Sequence, residues 1–197
     1  MWHALFDLVA TGRLDEALKF AKKSRELDPL NPPPNSSVGI TLYYQRNYDA
    51  AHRDLLKTLE LDPNVPVVQY YLGKTCVKKG LHEEAVRWFQ KTREALPTNG
   101  PMIGGLGYAY GAWGKRAEAE ALIAEMERLT AGAYIPANAF AMIHIGLGET
   151  EKAIEWLEKA CEERSCYVTW LNADPCYDDL RDQPRFQEIV KRVGLPG

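Results

Sequence analysis

Apolar positions in residues 83–96, EEAVRWFQKTREAL, step by three and four: Ala85, Val86, Phe89, Thr92 and Leu96 make one stripe, with charges on the opposite face. That spacing predicts an amphipathic helix. The pattern recurs along the chain. Ala17, Ala51, Ala85, Ala119 and Ala153 follow one another at intervals of 34 residues without insertion. Twelve positions before each of the last four stands a small residue: Gly39, Gly73, Gly107 and Ala141. Gly12, Gly80, Gly114 and Gly148 form a third series, interrupted at Arg46, and Pro29, Pro63 and Pro97 a fourth.

Four series in one phase define a repeated unit. Small residues inside two successive helical segments let an antiparallel pair approach closely, and the Gly between them can take the positive φ of a helix end. The Pro then stops the second helix. Residues 66–99, PVVQYYLGKTCVKKGLHEEAVRWFQKTREALPTN, carry Leu72, Gly73, Gly80, Ala85, Phe89 and Pro97 in these roles. This unit resembles the tetratricopeptide repeat. The resemblance implies an all-α, right-handed superhelix, an α-α solenoid of about five helix hairpins over residues 1–164 (approximately 1–31, 32–65, 66–99, 100–133 and 134–164). Six glycines between 100 and 114, each costing on the order of 1 kcal/mol in a helix interior, predict close packing or a soft helix in the fourth hairpin.

The period stops after residue 164. Residues 165–197 are expected to cap the array, with an extended or turn region and then a short helix from about Gln183 to Val193, closing on Gly194 and Pro196. Phe186, Ile189, Val190 and Val193 make the apolar face of that helix. The stretches GLGETEKAIEWLEKACEERS and DPCYDDLRDQPRF are also similar to the tails of bacterial multidomain regulators, kinases or cyclases that end in tetratricopeptide repeats. That likeness implies the interaction portion of a larger bacterial protein.

Composition changes little. The net charge of −3 gives no global attraction to nucleic acid or an anionic membrane, and no basic stripe with interleaved aromatics appears. Residues 96–114 and 129–148 lack formal charge but are broken by Pro, Gly, Asn or Thr, so both are read as buried helices with no membrane insertion. The start, MWHALFDLVATGRLDEA, shows no secretion signal, and Cys76, Cys161, Cys166 and Cys176 fit neither a paired CxxC zinc site nor a dense disulfide framework. A reducing, cytoplasmic setting is the expectation.

Candidate chemistry is sparse. VQYYLGKT, residues 68–75, ends like a phosphate-binding loop, but Val68 stands at the leading Gly position and the period places Lys74 inside a helix. His3, His52, His82 and His144 fall in different hairpins or on different faces, and His144 needs a hydrogen-bond partner if buried. No enzyme, metal or cofactor is indicated. The family resemblance instead implies a partner-binding groove lined by the first helices, which phasing assigns to Phe6; Ser36, Ile40, Tyr43 and Tyr44; Tyr70, Lys74, Val77 and Lys78; Tyr108; and Asn138 and Met142. Tyr71 and Tyr110 are assigned to packing. Lys74 and Lys78, one turn apart, are expected outside the core and facing an acidic group of a protein or peptide partner. The alternative is a regulatory or self-association module that forms homo-oligomers through the last hairpins or the tail.

Overall fold

The computed structural model describes residues 2–194, the side chains of residues 2–4, 32 and 33 excepted. Ten of the helices among the described residues form five consecutive pairs: α1 Trp2–Ala10 with α2 Leu14–Leu27, α3 Pro32–Tyr44 with α4 Tyr48–Leu61, α5 Pro66–Lys78 with α6 His82–Ala95, α7 Gly100–Ala112 with α8 Arg116–Leu129, and α9 Ala137–Gly146 with α10 Thr150–Glu162. The architecture is an α-α solenoid. Two 3₁₀ segments, Cys166–Trp170 and Pro175–Leu180, lead to α11, Pro184–Val193. Its end is a left-handed cap at Gly194, φ 74°, while Pro196 lies outside the described residues.

The phased residues occupy the places their chemistry requires. All five alanines of the series are fully buried. The helices α2, α4 and α6 end at Leu27, Leu61 and Ala95, just before Pro29, Pro63 and Pro97. Gly12, Gly80, Gly114 and Gly148 turn between paired helices at φ 71–78°. Of the stripe in α6, Ala85, Val86, Phe89 and Thr92 are buried, whereas Leu96 lies past the helix end and is 39% exposed. In α11, Phe186 and Ile189 are buried against the last helices, covering an apolar face that solvent would otherwise meet.

The glycines of α7 produce close packing. A methyl group at Gly104 would lie 2.6 Å from the Ala139 carbonyl oxygen and 3.0 Å from its Cα, so α7 and α9 meet backbone to backbone. Gly104→Ala is therefore expected to destabilise by about 1–3 kcal/mol, because a backbone cannot step aside as a side-chain tip can. Thermal denaturation checks this against Gly132→Ala, which adds a methyl where nothing lies within 4 Å.

Gly73 sharpens the role assigned to its series. A methyl there would stand 2.7 Å from Phe89 Cε2 and Cζ, and one at Gly105 would stand 2.5 Å from Phe89 Cε1. The ring of α6 is thus wedged between α5 and α7.

Candidate partner-binding site

The first helices α3, α5, α7 and α9 present one continuous face because side chains one turn apart lie above one another and the hairpins stack in phase. The structure gathers the expected groove residues there, but buried. Ile40 and Tyr43 are fully buried, Tyr44 is 1% exposed and Lys74 3%. Tyr108, Asn138 and Met142 are buried, while Tyr70 and Lys78 are partly exposed. Lys74 therefore corrects the expectation that it stands outside the core. What covers it is the protein's own segment between α10 and α11.

Asp174 of that segment meets Lys74. Its Oδ2 accepts from Lys74 Nζ, and its Oδ1 accepts from the Tyr43 hydroxyl at 2.7 Å and from the Cys176 backbone N–H at 3.0 Å. The ammonium also lies 5.1, 5.6 and 5.5 Å from the ring centroids of Tyr43, Tyr70 and Tyr71. A buried lysine is tolerable on these terms: its charge is balanced by a carboxylate and flanked by the negative faces of aromatic rings.

The electrostatics follow from this geometry. Burial alone drives the Asp174 carboxyl upward, but Lys74, the Cys176 N–H and the Tyr43 hydroxyl outweigh it and hold the carboxyl below its ordinary value. Burial likewise opposes the charge on Lys74, and Asp174 with its neighbours reverses the balance, raising the ammonium well above its ordinary value. Tyr43 is pushed well up by burial and by Asp174, so its hydroxyl keeps the proton that it donates.

Two further contacts fix the segment. Trp170 packs between hairpins, edge-on to Phe6 at 5.0 Å and stacked on Tyr44 at 5.8 Å. Arg46 binds Asp178 in two-pronged fashion, Nη2 to Oδ1 at 2.6 Å and Nε to Oδ2 at 2.9 Å. Arg46 is the residue that interrupts the turn-glycine series, yet it adopts the same left-handed conformation, φ 61°. A side chain other than Gly is costly there, and at this turn it supplies the guanidinium that meets the tail. Tyr44 and Tyr71 join hydroxyls at 2.8 Å beneath Trp170, and Tyr70 donates to Met142 Sδ at 3.5 Å.

Asp174, Asp178, Trp170 and Arg46 escaped the phasing because three of them lie beyond the period and the fourth breaks it. The break at Arg46 was the available signal. Of the remaining candidates, His144 is buried with Nδ1 2.8 Å from Glu149 Oε2, the partner its burial requires, and all four cysteines are free. The side chain of His3 lies outside the described residues. Among the described residues no helix is long and apolar enough to cross a membrane.

Residues 39–100 match a family model described as tetratricopeptide repeat, and residues 137–165 match a second model with the same description. Both matched stretches are tetratricopeptide repeats. Human tetratricopeptide repeat protein 13 is 32% identical to it over 102 residues, which is 50% of this chain and 11% of the human protein. Among solved structures, a thermophilic tetratricopeptide-repeat protein of Thermus thermophilus covers 96% of this chain and 96% of its own length at a TM-score of 0.66 and 20% identity. MamA from residue 41 onward, of Desulfovibrio magneticus RS-1, covers 83% of this chain and 93% of its own length at a TM-score of 0.58 and 21% identity. At these identities the two structures speak for the tetratricopeptide-repeat fold alone, and that fold suggests an interaction scaffold.

Proposed function

We propose that this chain is a non-enzymatic protein-interaction scaffold whose first-helix face recognises a short partner segment carrying an aspartate between aromatic side chains. Residues 165–183 are the resident copy of that chemistry. The observation that carries the reading is the Asp174 carboxylate held by Lys74 and Tyr43 inside a cage of tyrosine rings. A partner engaging the same face takes the place of the resident aspartate and offers a carboxylate to Lys74, with an aromatic ring for the slot beside Phe6 and Tyr44. A short peptide binding this way falls in the range of ~μM affinity, about 8 kcal/mol.

The test uses a labelled peptide with the sequence of residues 169–181, Ser replacing Cys176, and fluorescence anisotropy with the full chain. Asp174→Asn removes the resident charge while keeping its shape and its cap on Cys176. The peptide is expected to bind the Asp174→Asn chain at least ten-fold more tightly than the unaltered chain, and a peptide with Asn in place of its own Asp174 is expected to lose that advantage. Equal binding of both peptides to both chains would reject the proposal.

A further inference from the structure

Away from the first-helix face, three helices of the second and third hairpins converge three donor side chains of different chemistry. His52 comes from α4, Cys76 from α5 and Glu84 from α6, and one ligand atom of each lies within 4.8 Å of the other two. His52 Nε2 is 3.0 Å from Glu84 Oε1. Trp88 Nε1, one turn further along α6, donates to the same oxygen at 3.1 Å and helps to hold the carboxylate in place. Cys76 is fully buried, whereas the side chains of His52 and Glu84 are 15% and 28% exposed, so the cluster is closed on the sulfur side and open to solvent on the other.

We propose that His52, Cys76 and Glu84 form a three-ligand site for a borderline-soft divalent cation of the zinc type, with solvent as the fourth ligand. The donor set carries the choice of ion. A thiolate and an imidazole disfavour magnesium and calcium, which take oxygen, and one thiolate with one carboxylate balances a charge of two. The geometry is close to what such an ion needs. Zinc–ligand bonds of about 2.0–2.3 Å in a tetrahedron place donor atoms roughly 3–4 Å apart, so modest side-chain shifts convert the present cluster into a coordination shell.

Two basic residues stand nearby without closing the site. Lys79 is engaged by Asp49, Nζ to Oδ1 at 2.8 Å, and Arg87 is exposed. Coordination exchanges the Cys76 S–H bond for a metal–sulfur bond, and the proton leaves to solvent. Because the ligands come from two successive hairpins, bound metal would tie the second to the third, at a location separate from the Lys74–Asp174 pair.

Cobalt(II) titration of the full-length chain tests the site, since tetrahedral cobalt–thiolate coordination absorbs in both the near ultraviolet and the visible. One cobalt per chain is expected, with a sulfur-to-metal charge-transfer band that zinc abolishes by displacement. Cys76→Ser is expected to lose the band, and His52→Ala to weaken the metal at least ten-fold while keeping the helical circular dichroism of the unaltered chain. His52→Ala is part-exposed and supplies a folded comparison should Cys76→Ser fold poorly. The absence of a charge-transfer band in the unaltered chain, or the same band and affinity in His52→Ala, would overturn the proposal.

Discussion

Lys74→Met is expected to lower the unfolding free energy by about 3–5 kcal/mol, because it removes one partner of a buried ion pair and strands the other. Methionine keeps the length and much of the packing, so the loss reports charge more than volume. Asp174 retains the Tyr43 hydroxyl and the Cys176 N–H, but those two donors leave a carboxylate uncompensated in the interior. Combining Lys74→Met with Asp174→Asn is expected to cost less than the sum of the single changes, since the neutral amide no longer needs a cation. Urea denaturation of the four chains gives the coupling directly.

The same pair sets a pH dependence. The folded Asp174 carboxyl lies below its ordinary value, so its contribution is present above the unfolded value of about 3.9 and is lost as pH falls through the lower, folded value. Folded Lys74 lies above its ordinary value, so its contribution is present below about 10.4 and is lost as pH rises through the higher, folded value. The pair therefore contributes fully across the neutral range. Lys74→Met is expected to flatten the acid limb of the stability curve.

Phe89→Ala is the second large effect, expected to cost about 3–5 kcal/mol. The ring is fully buried and makes a T-shaped contact with Tyr70 at 5.6 Å between centroids. Glycines on both sides of it form a slot that the ring itself fills, so truncation opens a cavity between α5 and α7. The complementary change is informative. Gly73→Ala gains about 1 kcal/mol of helix propensity but presses a methyl into a ring held on its other side by Gly105, and net destabilisation is expected. Gly73→Ala with Phe89→Leu is expected to be less costly than the two changes summed, as chemical denaturation would show.

These two sites also mark where the sequence was legible. The helix pairs could be read because a constant interval needs only residue identity: Gly73, Ala85 and Pro97 reveal their roles by recurring. Gly105 belongs to no series, so the slot for Phe89 was visible from one side only. Lys74 was misplaced for a different reason. A lysine is excluded from a core unless a counter-charge accompanies it, and its counter-charge lies 100 residues away. Nothing local to YYLGKT shows that partner. The turn-rich character of residues 165–183 was readable, but the face on which they dock depends on contacts made across hairpins. Arg46 is the intermediate case: the absence of Gly was plain, while the reason for it required Asp178 to be seen beside it.

Amine labelling of the native chain followed by mass spectrometry tests most directly that the first-helix face is covered by the protein's own tail. Lys74 is expected to resist modification under conditions that label the exposed Lys191, and to become reactive when Asp174→Ala loosens the resident segment. Lys74 labelling as fast as Lys191 in the unaltered chain would contradict the account.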